Sequence, residues 1–493
     1  MSFGKEFNLL LKARYSIIYI STKEEDRLEY TIRNCLRLSN TNRGFYSWDF
    51  VDGYTNDPNT NNLAARNPLQ ALEFIEKLNP TRPAIFILKD FNRFLTDITI
   101  SRKLRNLNRT LKVSPKTIFI IASDLELQIP DELNELITVV DFLLPQYNEI
   151  RQELLRLIKS LDQTIDPSFL ENLIKSCQGL SLERIRRVLA KIIASQKQIN
   201  NLSVQLILDE KRQIISQTQI LEFWAPTTTI NDIGGLEILK NWLFQRKLSF
   251  TERAIAYGLP PARGLLLIGV QGTGKSLTAK GIARDWQLPL LRLDFGRLFG
   301  GLVGESEARM RKMINIAEAL SPCILWVDEI DKAFGQMEGK SDSGTTSRVL
   351  GTFITWLAEK QSKVFVVATA NNFKLLPLEL IRKGRFDEIF FVGLPSRSER
   401  FEIFEVLLRN FRPKTWQKFD IEEFLDLSFN FSGAEIKQSI IEGMYAAFEQ
   451  EREFETADIR FGLAQIIPLA QINKEEIANL QQWTKSGRIR NAS

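Results

Sequence analysis

Apolar positions along this chain fall into short continuous runs, separated by longer stretches in which they recur every three to four residues. The runs are the pattern of strands buried on both faces, and the stretches between them that of helices packed on one side. In the second half the runs predict strands at 264–268, 289–294, 323–328, 364–369 and 389–392. Strands alternating with helices predict a parallel sheet covered by helices, an α/β fold. From about 397 onward the pattern turns helical, which predicts a small helical subdomain after the sheet.

The first half shows the same order more weakly. Runs at 16–21, 84–90, 117–123 and 139–145 read as strands, and the helical stretch opening at Gly179-Leu180-Ser181-Leu182-Glu183 parallels Phe431-Ser432-Gly433-Ala434-Glu435. The interval from Ser123 to Pro145 is roughly that from Asn371 to Pro395, and Pro145 to Ser181 roughly that from Pro395 to Ser432. A divergent internal duplication accounts for this, and so does the rhythm of any α/β domain. The expected division is a divergent α/β domain over 1–200 with a helical end, then a Gln- and Ile-rich helical connector over 201–226, ending at Ala225-Pro226. A large sheet subdomain over 227–396, a helical lid over 397–470 and a tail over 471–493 complete it.

The candidate chemistry sits at the strand ends. The run Leu265-Leu266-Leu267-Ile268 leads into Gly269-Val270-Gln271-Gly272-Thr273-Gly274-Lys275-Ser276, a phosphate-loop pattern, and a helical stretch with Ile282, Ala283 and Trp286 follows. Glycines let the backbone turn its N–H groups toward a polyphosphate, Lys275 reaches the β/γ-phosphates, and the Ser276 hydroxyl is placed to ligate Mg²⁺. About fifty residues on, Ile324-Leu325-Trp326-Val327 ends in Asp328-Glu329. Beside a phosphate loop, the first acid belongs at the metal and the second at the attacking water. Asn371 closes the next strand, where an amide can hold that water or the γ-phosphate. Arg382 and Arg385 flank Gly384, as an ordinary basic loop or as a cation that stabilises charge on the transferring phosphoryl group, worth about 10³–10⁵ in rate. In the first half Thr22-Lys23-Glu24-Glu25-Asp26 follows the first strand without a glycine, and acids there repel phosphate, so that half is not expected to hydrolyse nucleotide.

Composition narrows the chemistry further. The 493 residues are 44% hydrophobic and 25% charged, that of a globular protein of several domains. There is no histidine, which removes His-based acid–base catalysis, Ser-His-Asp triads and His-containing zinc sites. The three cysteines are far apart and fit no metal or redox spacing, which reads as buried free thiols. A net charge of +5 with no basic–aromatic cluster argues against a nucleic-acid partner, and Lys485, Arg488 and Arg490 read as a frayed, solvated terminus. No apolar run is long enough to span a bilayer, and MSFGKEFNLLLKARYS has neither a signal-peptide nor a transit-peptide layout.

Together with Asp232-Ile233-Gly234-Gly235 and Gly304-Glu305-Ser306-Glu307, these motifs in this order resemble AAA ATPases over about 227–465. The resemblance implies an AAA module, a parallel sheet flanked by helices with a helical lid. It implies ATP and Mg²⁺ as cofactors, with Ile233, Gly234 and Ala434 near adenine and ribose. It further implies a homo-oligomer, a hexamer, in which Arg382 and Arg385 project into a neighbour's site. Segments such as LRLDFGRLFGGLVGESEARMR and ELIRKGRFDEIFFVGLPS, with LSLERIRRVLAKII and ILEFW in the first half, resemble the uncharacterised AAA proteins of cyanobacteria and algal plastid genomes. That implies a plastid stroma in an alga, or the cytoplasm of a cyanobacterium. Two departures matter. Val270-Gln271 stands where most of the family has proline, which the backbone tolerates. Leu302 stands where many family unfoldases carry an aromatic residue to grip a threaded chain, with Phe299 in the preceding segment, and this lowers the expectation of processive threading. The expected function is ATP hydrolysis coupled to remodelling an unknown protein partner. An ATP-gated scaffold with little turnover and a nucleic-acid motor are the alternatives.

Overall fold

The computed structural model describes residues 3–38, 43–55, 62–79, 81–123, 129–196, 198–216, 220–225, 227–298, 305–335, 343–472 and 489–493. By their internal contacts they form two units, the first 1–162 with 180–195, the second 163–179 with 196–493. The first unit carries strands β1 (Ile17–Ser21), β2 (Gly44–Asp49), β3 (Gly53–Thr55), β4 (Ala84–Lys89), β5 (Lys116–Ala122) and β6 (Ile137–Val139), in the order β3-β2-β4-β5-β1-β6. All neighbours are parallel except β2 and β3. Alternation along β1 sends Ile17 and Tyr19 into one apolar core and Ile18 and Ile20 into another, so helices must cover both faces.

The second unit carries β7 (Leu221–Trp224), β8 (Gly264–Gly269), β9 (Leu290–Leu293), β10 (Cys323–Val327), β11 (Val364–Ala370), β12 (Glu388–Val392) and β13 (Arg490–Asn491), in the order β13-β12-β8-β11-β10-β9-β7. Among the described strands only β7 runs antiparallel to its neighbour. Again both faces are buried: Leu266 and Ile268 of β8 enter one core, Leu265 and Leu267 the other. The helices Arg397–Phe411, Ile421–Leu427, Gly433–Glu449 and Thr456–Gln465 close around their own core, centred on Phe404, Phe424 and Ile440.

Several expectations need correction. The run 139–145 is not a strand: β6 ends at Val139, Leu143 is exposed, and its carbonyl is taken by the Arg27 side chain rather than by a ladder. The stretch 201–226 is a helix, Asn201–Ser216, followed by β7, whose Leu221 enters the core while Trp224 meets Trp326 edge-on at 6.0 Å. Pro226 lies outside the described residues, as do Lys485 and Arg488. The last residues are not frayed: Arg490 and Asn491 pair with Phe390 and Phe391, and Ala492 is fully buried.

All three cysteines are free thiols. Burial pushes Cys177 and Cys323 up to about 12, and both feel the ammonium of Lys211, which is 1% exposed on the helix Asn201–Ser216. Burial in turn pulls Lys211 down to about 8. The unfolded chain therefore binds the Lys211 proton more tightly than the folded chain. The cost is fully present below pH 8 and disappears as pH rises toward the unfolded value. Lys211→Met, similar in volume and uncharged, is expected to raise the second unit's stability at pH 7 by ~3 kcal/mol, with the gain vanishing near pH 10. Chemical denaturation at the two pH values checks this; equal stability at pH 7 contradicts it.

Candidate nucleotide site

β8 delivers the chain into the loop 269–274, and the helix Lys275–Trp286 leaves it. Two glycines are required by contact. A Cβ on Gly269 would meet the Val392 carbonyl oxygen at 2.0 Å; one on Gly272, at φ +81°, would meet Ser432 Oγ at 2.9 Å and Ala434 Cβ at 3.0 Å. The Ala434 amide donates to the Gly272 carbonyl at 3.0 Å, tying the lid helix Gly433–Glu449 to the loop. Thr273 Oγ1 donates to the Val270 carbonyl at 2.7 Å, while Gln271 is exposed. Proline is unnecessary at Val270, which is held by burial.

Lys275 is buried, and its Nζ folds back to donate to the carbonyls of Gly269 at 2.8 Å and Val270 at 2.7 Å. Burial pulls it down to about 8, against the opposing pull of Asp331, Asp328 and Glu329. A cation satisfied only by neutral carbonyls beside open glycine loop is poised for a stronger anionic acceptor.

The acid pair stands beside this loop. Asp328 Oδ1 accepts from Ser276 Oγ at 3.1 Å and from Thr369 Oγ1 at 2.7 Å. Thr369 Oγ1 in turn accepts from the Glu329 amide at 2.9 Å, which supports that residue's left-handed backbone, φ 49°. Asn371 Nδ2 donates to Glu329 Oε1 at 3.2 Å, and Asp331 Oδ2 accepts from the amides of Asn371 and Asn372 at 3.2 and 2.9 Å. The other oxygen of Glu329, Oε2, is ion-paired with Lys332 at 2.5 Å. Arg292 reaches Asp328 Oδ2 at 3.9 Å.

The donor set fits Mg²⁺. Ser276 and Asp328 offer a hydroxyl and a carboxylate within hydrogen-bond reach of each other, and among the described residues no cluster of three or more His, Cys, Asp or Glu supplies a full cage. Mg²⁺ characteristically takes one or two protein oxygens and completes its shell with substrate phosphates and water.

Ile233 is buried, its Cγ2 3.9 Å from the position a Cβ on Gly274 would take, and Gly234 abuts Ile403 of the lid. Arg382 and Arg385 lie on the loop before β12; Arg382 is exposed and the Arg385 Nε is buried without a hydrogen-bond partner. Among the described residues neither is bonded to the loop 269–276, Asp328 or Glu329. Leu302, Phe299 and Gly304 lie outside the described residues. Sequence reasoning passed over Thr369, Asp331 and Lys332. Asp331 and Lys332 extend the acid pair by a helical turn, a usable signal, whereas a threonine inside an apolar run reads only as strand.

A glycine loop between a buried strand and a helix, with a lysine at its end and an acid pair on the next strand but one, defines a phosphate-loop nucleotide-binding module. The chain belongs to the AAA ATPase family. Residues 265–394 match the family model described as "ATPase family associated with various cellular activities (AAA)", and 3–142 and 148–218 match the N-terminal and second domains of the SpoVK-like AAA ATPases. Proteins named "Uncharacterized AAA domain-containing protein ycf46" are similar over the full chain: that of Trieres chinensis is 63% identical and covered over 99% of its length, that of Pyropia yezoensis 56% identical and covered throughout. A Cell division cycle protein 48 homolog of Archaeoglobus fulgidus is 30% identical over 274 residues, 53% of this chain and 37% of that protein.

Proposed function

We propose that the second unit hydrolyses ATP with Mg²⁺ and uses the cycle to remodel a protein partner in an algal plastid. The observation that carries this reading is the bonded chain Ser276–Asp328–Thr369–Glu329–Asn371 beside Lys275. A site that only bound nucleotide has no use for a second carboxylate held by an amide at a neighbouring strand end. In this reading Lys275 neutralises charge on the β/γ-phosphates, Ser276 and Asp328 hold Mg²⁺, and the loop amides of 269–274 cradle the phosphates. Bound Mg²⁺ supplies charge neutralisation across the phosphates. Glu329 accepts a proton from the attacking water and Asn371 senses the γ-phosphate. Ile233, Gly234 and Ala434 line the adenine side, where the lid meets the loop. Full-length similarity to ycf46 proteins of algae supports the plastid setting.

Arg382 and Arg385 complete the site from a neighbouring copy of the chain in a homo-oligomer, a hexamer by family habit. That no hydrogen bond or ion pair holds either side chain among the described residues supports that placement. Arg382→Ala and Glu329→Gln chains, each inactive alone, are expected to regain part of the wild-type ATPase rate when co-assembled, because some interfaces then pair an intact arginine with an intact glutamate. Absence of recovery in verified mixed oligomers contradicts the shared site.

One observation favours a second reading, an ATP-gated assembly scaffold with little turnover. Both oxygens of Glu329 are engaged, Oε1 by Asn371 and Oε2 by Lys332. A carboxylate with both oxygens engaged must give up a contact before it can take up a water. A Lys332→Ala chain that hydrolyses no faster than wild type rules out this restraint as the cause of slow turnover.

A further inference from the structure

Five strands stand in the same order in the two units. The order β6-β1-β5-β4-β2 of the first is the order β12-β8-β11-β10-β9 of the second, and each ends in an antiparallel edge strand, β3 or β7. Register matches the functional positions. Ser21 lies opposite Ala122, one residue before Ser123, as Ile268 lies opposite Ala370, one before Asn371. Lys89 lies opposite Ile121; Val327 lies opposite Ala368, which sets Asp328 level with Thr369. Lys89 therefore stands where the second unit has Asp328, and Asp90 where it has Glu329. Asp90 and Glu329 share a left-handed backbone, φ 51° and 49°. Ser123 Oγ donates to Asp90 Oδ1 at 3.0 Å as Asn371 does to Glu329. The metal-side acid is thus a lysine, ion-paired with Glu29 at 3.4 Å.

The loop is replaced as well. After β1 the chain passes through Thr22, Lys23 and Glu24 directly into the helix Glu25–Leu38. In the second unit the lid-helix amide of Ala434 is held by the loop carbonyl of Gly272. In the first, the amide of Leu182, opening the helix Leu182–Gln196, donates to Glu24 Oε1 at 2.6 Å. Glu24 Oε2 is ion-paired at 2.8 Å with Arg27, and both side chains are buried. Arg27 also donates to both oxygens of Glu149 and to the Leu143 carbonyl, and lies 4.1 Å over the Phe142 ring. A helix N-terminal amide on one oxygen and a buried guanidinium paired with the other hold this carboxylate as an anion is held.

We propose that the Glu24 carboxylate takes the part that the loop carbonyl of Gly272 plays in the second unit, and as an internal anion paired with Arg27 latches the helix Leu182–Gln196 to the sheet without nucleotide. The first unit is then a permanently closed body, and nucleotide-dependent movement of a lid is confined to the second. The proposal stands on the first unit's own geometry and takes from the proposed ATP site only the comparison.

The test is amide hydrogen exchange read by mass spectrometry on the full chain. Glu24→Ala removes the internal anion, and exchange at the start of the helix Leu182–Gln196 is expected to rise about tenfold or more, the loss of a charge-assisted hydrogen bond. Inorganic phosphate or acetate at tens of millimolar is expected to restore protection, while chloride at equal ionic strength is not. Glu24→Gln keeps shape and an acceptor oxygen without charge, and is expected to show a smaller rise even if the alanine chain folds poorly. Wild-type exchange in this helix is expected to be the same with and without Mg²⁺-ATP. Unchanged exchange in Glu24→Gln, a rise in Glu24→Ala that phosphate and acetate repair no better than chloride, or ATP-dependent exchange in this helix each overturns the proposal. Protection of the loop 269–276 by ATP is read in the same experiment, so failure of the second unit to bind nucleotide is seen separately.

Discussion

A Lys275→Ala chain is expected to bind ATP about a hundredfold more weakly than wild type, or not measurably. The reason lies in what this lysine does in the free protein. It is buried, drawn down to about 8 by desolvation, and satisfied by two loop carbonyls rather than by an acid. Phosphate oxygens replace those carbonyls as charged acceptors, and a hydrogen bond between charged partners is worth ~1.5–3 kcal/mol, a factor of ten to more than a hundred. No other cation is bonded to the loop among the described residues that could take over. Fluorescent-nucleotide titration of folded variant beside wild type checks it, and equal affinities would mean the loop is misread.

Glu329→Gln is expected to act on the other half of the cycle. The amide keeps the shape of the carboxylate, so the hydrogen-bonded position of Asn371 and the backbone support from Thr369 survive. What is lost is a proton acceptor beside the γ-phosphate, and general bases contribute about 10²–10⁴ in rate. Turnover is expected to fall by that order with ATP affinity kept within a few-fold, so the variant accumulates with ATP bound. A Glu329→Gln chain with wild-type turnover would move the base elsewhere, Asp331 being the nearest further acid on the same helical turn. The same variant, held in its ATP state, is the form in which to capture the partner.

Much of this site was legible in the sequence because its parts are contiguous motifs at strand ends. The loop 269–276 carries its own backbone requirements in its glycines, and Asp328, Glu329 and Asn371 each follow an apolar run that ends where they begin. The parts that were not legible act through tertiary bonds. Thr369 couples Asp328 to the Glu329 backbone, yet a β-branched residue in a buried strand carries no polar signature. The edge strands β3 and β7, with β2 beside β3, were missed for a related reason. They are half polar, so alternation is short and weak, and β7 is only four residues long. The pairing of Arg490 and Asn491 rests on backbone bonds that leave no pattern at all.

Glu24 shows the limit most clearly. From sequence it signified only that a phosphate would be repelled. Register and hydrogen bonds show that the carboxylate is itself held by the kind of donors a phosphate would use. The question of duplication, level on intervals alone, turns on the same evidence: matched strand order, matched register and matched left-handed residues at 90 and 329.

Single-turnover hydrolysis decides whether the second unit cleaves ATP or merely holds it. Purified wild-type chain in molar excess over labelled ATP is followed for phosphate formation with Mg²⁺ and with the metal chelated. Phosphate is expected to form only with Mg²⁺, at a rate that Glu329→Gln reduces at least a hundredfold. ATP that stays bound and intact in the wild-type oligomer, with Mg²⁺ present, would contradict it.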